Sequence, residues 1–411
     1  MLYLCIMIPF DVVRVRQDFP ILQETVHGKP LIYFDNGASS QKPQQVINRI
    51  NHYYAKEHSN VHRGVHHLSA KATEAYEAAR KTVADFVGAT HEEIVFTKGT
   101  TDAINTIAFS FGETLKPGDE ILITGMEHHS NIVPWQMLCE RKRCNLKVLP
   151  VLENGTLDLS EIDRFLTEKT KLFSFVHVSN TLGTVNPAKE LISKAHAMGA
   201  KVLLDAAQSI QHMPINVQEL DCDFLAFSGH KVFAPTGIGV LYGKKDLMES
   251  LPPYQGGGDM IEYVTFEKTT YNTMPLKFEA GTPNISGVIA LGEALNYLNS
   301  LDLQGAFQHE EALGNYLRSH MREIPKVRFI GEAPETCSTL SFLVDDLHPF
   351  DLGTLLDQQG VAVRTGHHCT QPLMQQFNIP GTVRASLAFY NTHEEIDRFI
   401  TALNRSIQLL S

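Results

Sequence analysis

The feature that most restricts the fold is a repeated coupling of a strand-length apolar run to a helical pattern: 93–97 before 101–110, 120–124 before 132–141, 172–178 before 188–198, and a further run at 201–204. Such alternation builds a largely parallel sheet with helices on both faces, because each parallel neighbour requires a crossover across one face. The glycine-punctuated run 236–242 (TGIGVLY) follows the run 223–227 too closely for a helical crossover, so it is expected to pair antiparallel and make the sheet mixed. From about residue 287 the texture changes to a long helical stretch through 323, strand-like runs at 338–344, 361–364 and 384–388, and a last helix from 393. That reads as a smaller α+β domain. The expected division is 25–295 for the large domain, with 1–24 and 296–411 forming the small one.

The chain's 411 residues suffice for two such domains, and 46 acidic against 35 basic side chains leave a net charge of −11. No surplus of cation is available to track a phosphate backbone, which excludes nucleic acid as an expected partner. Six cysteines (Cys5, Cys139, Cys144, Cys222, Cys337 and Cys369) without paired C-x-x-C spacing suit a reducing, cytoplasmic setting. Residues 1–10 (MLYLCIMIPF) are apolar but lack a basic flank, and they amount to about half of a membrane span. Neither targeting nor insertion is expected there, and Met7 is an alternative start.

In sheets of this kind ligands sit beyond the carboxyl ends of the strands, so polar residues directly after apolar runs are the ones to weigh. The run 201–204 delivers Asp205 and then Gln208; the run 223–227 delivers Ser228, His230 and Lys231. An acid and a lysine on neighbouring strand ends suit pyridoxal phosphate. The amine holds the cofactor covalently, and the carboxylate keeps the pyridine nitrogen protonated so that the ring can accept electrons. Alone, such an aspartate is an ordinary helix cap and such a lysine a solvated charge. Their joint placement carries the reading. A phosphate fits where Lys98 leads into Gly99, Thr100 and Thr101 at the start of a helix, although Gly-Thr-Thr by itself is equally a plain N-cap. After the next strand comes Met126-Glu127-His128-His129, where an imidazole can stack on a cofactor ring and exchange protons. His62, His66, His67, His128, His129, His230, His367, His368 and Cys369 invite a zinc reading. Adjacent histidines usually point apart and no H-E-x-x-H or C-x-x-C spacing occurs, so no metal site is expected.

The ordered set Gly99-Thr100-Thr101, Met126-Glu127-His128-His129, Asp205-Ala206-Ala207-Gln208, Ser228-Gly229-His230-Lys231, Glu279-Ala280-Gly281-Thr282-Pro283-Asn284 and Arg364-Thr365-Gly366-His367-His368-Cys369 resembles the cysteine desulfurases. These are pyridoxal-phosphate enzymes of the class V aminotransferase group with fold type I, and the similarity runs from about Phe19 to the C-terminus. The compact Arg364 to Cys369 segment resembles the second, SufS-like group. The resemblance implies that Lys231 carries the cofactor, Asp205 contacts its pyridine nitrogen, Gln208 its phenolic oxygen, and His128 stacks on it. Thr100, Thr101, Ser228 and His230 then hold the phosphate, with Thr282 reaching in from the other subunit of a homodimer. Asn180 and Arg384 bind the substrate carboxylate, Arg364 counts among the substrate contacts, and Cys369 is the nucleophile. The implied reaction converts L-cysteine to L-alanine with a persulfide on Cys369. Its sulfur passes to a SufE-like or SufU-like acceptor for iron–sulfur cluster assembly. A selenocysteine lyase or a class V aminotransferase on the same site is the alternative.

Local charge separates the cysteines. Cys222 lies between Asp221 and Asp223, which disfavour a thiolate, and Cys337 precedes a strand. Cys139 and Cys144 flank a basic run, so their thiols are expected to be somewhat acidified while serving packing. Cys369 follows a glycine and two histidines on a short polar loop near Arg364. Asn36-Gly37 and Thr370-Gln371 are expected to tolerate variation, with no role at the site.

Overall fold

A computed structural model of the protein describes residues 10–411; the readings made of residues 1–9, including Cys5 and Met7, lie outside the described residues. Seven strands form the main sheet: β1 (Ile94–Thr97), β2 (Glu120–Thr124), β3 (Asn145–Leu149), β4 (Thr170–Val176), β5 (Lys201–Asp205), β6 (Phe224–Ser228) and β7 (Gly239–Gly243). Their order is β1-β7-β6-β5-β4-β2-β3. Pairings from β6 through to β3 are parallel, and β7 runs antiparallel to both β6 and β1, as the short connection requires. Every residue of β2, β6 and β7 is buried, because helices cover both faces and the strands have no solvent side. Ile104, Ile107, Trp135 and Leu138 fill one face; Val83, Leu191, Val288 and Leu295 help fill the other. Strand β3 has no counterpart among the expected runs. It is an edge strand of mixed polarity (NLKVL) and mostly solvent-facing, so it carries no buried apolar signal.

The smaller sheet contains β8 (Val327–Phe329), β9 (Thr339–Val344), β10 (Arg364–Gly366) and β11 (Thr382–Ser386) in the order β8-β9-β11-β10, all antiparallel. Helices Leu303–Arg322, Pro349–Asp357 and His393–Leu410 pack on it. The expected strand 361–364 divides in two: Val361–Ala362 pairs parallel with Ile32–Tyr33, and only then does β10 begin. The amino-terminal contribution to this part therefore extends beyond residue 24. The expected helical stretch through 323 also divides, between Ile285–Asn299 and Leu303–Arg322, where Asp302 Oδ1 caps the second helix by accepting from Gly305 N at 3.0 Å. A boundary at 295 falls inside a helix, and we place the division in the break at 300–302. Among the described residues no helix is long and apolar enough to cross a membrane.

One buried ion pair ties the first of these layers together. Glu279 Oε1 accepts from Arg80 Nη1 at 2.7 Å and from the backbone of Phe96 at 2.7 Å; its Oε2 accepts from Arg80 Nη2 at 2.9 Å and from the Tyr76 hydroxyl at 3.0 Å. Both side chains are almost wholly out of water, at 1% and 6% exposure. Glu279→Ala removes the buried carboxylate and leaves the guanidinium only the more exposed Glu77, 2.9 Å from its Nε, so it is expected to cost about 3 kcal/mol. Urea denaturation measures this, and an unchanged midpoint contradicts it.

Candidate active site

The carboxyl ends of β1, β5 and β6 open onto one cleft of about 300 Å³. All the expected site residues line it except Thr282. That threonine is exposed and borders a neighbouring cavity with Lys98, Asp102 and Asn284.

Adjacent parallel strands bring the acid and the lysine together. Asp205 stands opposite Ala226 in the β5–β6 register, and a single turn, Gly229–Lys231, follows Ser228 at the end of β6. Burial holds the Lys231 amine down to about 8, against the pull of the Asp205 charge. Asp205, 2% exposed, has its carboxyl pushed up by burial while the Ala207 N–H and the Lys231 charge oppose the shift. The amine is thus partly free near neutral pH, and the acid lacks a full complement of donors.

The phosphate cradle depends on two glycines. Gly99 has φ of +152°, and a Cβ there would meet Ser228 Oγ at 3.2 Å. A Cβ on Gly239 would stand 2.4 Å from the Gly99 Cα, so β7 can pass the β1 end only as glycine. This close approach sets the start of the eleven-residue helix Thr100–Ser110 against the end of β6. The Thr100 N–H donates to Ser228 Oγ at 2.8 Å, with the two hydroxyls also 2.8 Å apart. Thr101 is exposed on the same first turn, whose N–H groups and dipole favour an anion. Burial lowers His230 to about 4 and leaves it neutral.

His128 caps the turn His129–Asn131: the backbone N–H of Ser130 donates to its Nδ1 at 3.1 Å. A backbone N–H can only donate, so the neutral ring carries its proton on Nε2. Burial, then the Lys231 charge, hold the ring's pKa down to about 3. Behind it, Glu127 is fully buried and accepts from Asn131 Nδ2 at 2.6 Å and from Val176 N at 3.0 Å; burial raises it to about 8 against these donors.

The cysteine loop follows β10 with His368 at φ 51° and Cys369 at φ 59°, both in the left-handed region. Cys369 is exposed and His368 buried. Asn180 Nδ2 donates to His368 O at 2.8 Å, and Gln208 Nε2 donates to Gly37 O at 2.8 Å. Arg384 donates through Nη1 to Asn180 O at 2.9 Å and through Nη2 to Asp35 Oδ1 at 3.1 Å. Arg364 is exposed at the rim, 3.9 Å from Asp35 Oδ2. Asn180 Oδ1, Gln208 Oε1 and Arg384 Nε are buried here with no partner. Unpaired polar atoms of this kind are costly unless a ligand completes them.

Two expectations need correction. Asn36-Gly37 and Thr370-Gln371 belong to the site's frame: Asn36 is fully buried, Gly37 receives Gln208, the Thr370 hydroxyl bonds that of Thr181 at 2.9 Å, and Gln371 N donates to His129 Nε2 at 3.1 Å. Cys139 is not acidified. Its Sγ lies 3.3 Å from that of Cys144, and burial pushes its thiol up to about 12, while Lys142 in the basic run pairs outward with Glu113 at 2.8 Å. Cys222 is likewise raised to about 12 by burial. Asp35 escaped the sequence reading because the strand before it is only two residues long, and Glu127 because nothing local marks its partners.

The chain matches the aminotransferase class-V family over residues 32–399. It is 52% identical over 398 residues to a cysteine desulfurase of Synechococcus elongatus, covering 96% of this chain and 64% of that protein's length. A probable cysteine desulfurase of Synechocystis sp. is 50% identical over 409 residues, covering 98% of this chain and 97% of the other. The solved structure of the apo cysteine desulfurase of Thermococcus onnurineus superposes with a TM-score of 0.94 at 39% identity, covering 98% of this chain and all of that one. The chain belongs to the class-V aminotransferase family, whose cofactor is pyridoxal 5′-phosphate. The cleft fits that cofactor: a lysine with a partly free amine, a buried acid short of donors, and a helix terminus at a glycine cradle.

Stability should fall in mild acid. His128, His177, His230 and His368 are held neutral by burial, with pKa values of about 3, 4, 4 and 2. The unfolded chain protonates histidine from about 6.5 downward, so unfolding takes up protons there and stability drops as pH falls from about 6.5 towards 4. The raised carboxyls of Glu127 and Asp205 act in the opposite sense, but they are two groups against four. Urea midpoints at pH 7 and pH 5 test the sign; an equal or higher midpoint at pH 5 refutes it.

Proposed function

We propose that the chain is a cysteine desulfurase converting L-cysteine to L-alanine, with the sulfur captured on Cys369. The observation carrying this reading is that an exposed thiol, in a left-handed loop, lines the same cleft as the buried Lys231 and Asp205. A transaminase has no use for that thiol. The Arg384 Nε–H, buried and unpaired, binds the substrate carboxylate, with Asn180 beside it supplying its second amide N–H and Arg364 closing the rim. Lys231 Nζ, its basicity reduced by burial, holds the cofactor and, once released, takes the proton from the substrate Cα. Pyridoxal phosphate, when bound through Lys231, Asp205, Gln208, Thr100, Thr101, Ser228 and His230, delocalises the electrons left at Cα and weakens the Cβ–Sγ bond.

The Cys369 thiolate attacks the substrate sulfur. An S–S bond forms on Cys369 as the Cβ–S bond breaks, and the electron pair stays on the carbon side, which takes up one proton at Cβ and regains the Cα proton from Lys231 to become alanine. His128, with its proton on Nε2, is the donor at hand. No external oxidant enters the balance. A SufE-like or SufU-like protein then takes the sulfur for iron–sulfur assembly. The five described cysteines are all free, which accords with a cytoplasmic setting. A homodimer is supported by Thr282 lying exposed outside its own cleft and by the apolar Tyr263, Val264 and Phe266 standing exposed around the hairpin Ile261–Val264 with Thr269–Tyr271.

Cys369→Ser is expected to keep the cofactor's visible absorbance and lower alanine formation from cysteine by about a thousandfold or more, the scale of removing a covalent nucleophile. Undiminished alanine production sinks the assignment. Lys231→Ala is expected to abolish the absorbance of the covalently held cofactor, and a spectrum like that of the unsubstituted protein overturns its role.

A further inference from the structure

We propose that His129 is the positioning residue of the nucleophile, fastening the loop of Cys369 to the strand-end turn that carries His128. This rests on the reading of Cys369 as the sulfur acceptor. Two bonds leave one residue for that loop: the His129 backbone N–H donates to Cys369 O at 2.8 Å, and the Gln371 backbone N–H donates to His129 Nε2 at 3.1 Å. Both donors are backbone N–H groups, so the directions are fixed by chemistry. The ring accepts at Nε2 and carries its proton on Nδ1.

The loop needs such a fastening. His368 and Cys369 are consecutive non-glycine residues in the left-handed region, a conformation that persists only where the surroundings compel it. Asn180 holds the carbonyl of His368, and Thr181 holds the hydroxyl of Thr370. His129 alone, among the described contacts, takes the carbonyl of residue 369 itself and then grips the chain two residues on. It also joins two parts of the molecule, since His129 follows β2 of the main sheet and Cys369 follows β10 of the smaller one. Without the ring the thiol keeps its chemistry but loses a fixed address relative to the substrate sulfur, and misplacement of a reacting atom is a loss in rate rather than in binding.

The test uses the full-length, cofactor-loaded protein with His129→Ala, His129→Asn and His129→Gln. Glutamine can place its Oε1 where Nε2 accepts; asparagine is too short. The first readout is the rate of Cys369 alkylation by iodoacetamide, mapped by mass spectrometry, which needs no turnover. The second is kcat and KM for alanine formation. Ala and Asn are expected to alkylate Cys369 several-fold faster than the unsubstituted protein. Their kcat should fall by about threefold to tenfold, the worth of about one hydrogen bond, with KM changed by less than about twofold. Gln should restore both readouts. Alkylation and kcat unchanged in the Ala variant overturn the proposal, and so do three variants impaired alike, which marks a merely structural histidine. If the unsubstituted protein forms no alanine from cysteine, the proposed function fails while the alkylation series still decides the role of His129.

Discussion

A guanidinium buried where three segments of the chain meet is the constraint on which the site depends. Arg384 lies on β11, an inner strand of the smaller sheet, and is 2% exposed. Its acceptors come from elsewhere: the Asn180 carbonyl in the loop after β4, and the Asp35 carboxylate in the amino-terminal segment. Taking a cation out of water costs several kcal/mol, so the arrangement is stable only while both acceptors stay in place. The same requirement fixes the smaller sheet against the main one. Because two of the guanidinium's nitrogens are used for the junction and Nε is left over, the residue that sets the geometry of the cleft also supplies a donor within it.

Exclusion of water then acts on the buried amine, imidazole and carboxyl of the cleft in the same direction, toward neutrality. It lowers Lys231 and His128 and raises Asp205. An amine that is neutral part of the time can attack a carbonyl carbon. An acid that resists ionising in isolation ionises readily beside a ring nitrogen that brings a positive charge, so the site is most comfortable when occupied. Cys369 is exposed at the rim. Depth therefore separates the two groups to which the proposed chemistry falls: the buried Lys231 amine below and the exposed Cys369 thiol above.

Much of this was legible in the sequence for a topological reason. Parallel strands deliver the residue after each apolar run to the same edge of the sheet, so Asp205, Ser228, Lys231 and the Gly99-Thr100 turn could be placed together without coordinates. What stayed hidden is what depends on contacts between distant segments. Asp35 and Arg384 are separated by 349 positions, and nothing in the two-residue strand before Asp35 marks it. The edge strand β3 lacks the buried run that betrays the others. The basic run beside Cys139 misled for a related reason: its charges are adjacent in sequence but point to water and to Glu113, whereas the thiol answers to its burial.

The doublet His128-His129 shows how much a local bond can decide. In sequence it is two equivalent imidazoles, and equally an invitation to zinc. In the fold each ring receives one backbone N–H, His128 at Nδ1 from Ser130 and His129 at Nε2 from Gln371. One lone pair of each neutral ring is thereby committed, and the proton is forced onto the other nitrogen. Neighbouring residues become opposite tautomers, and neither retains the free lone pair that a metal ion requires. Each instead becomes a directed donor and acceptor: His128 offers an N–H on the cleft, and His129 holds the segment bearing the thiol. The turn that His128 caps fixes one ring, and the Gln371 N–H beyond Cys369 fixes the other.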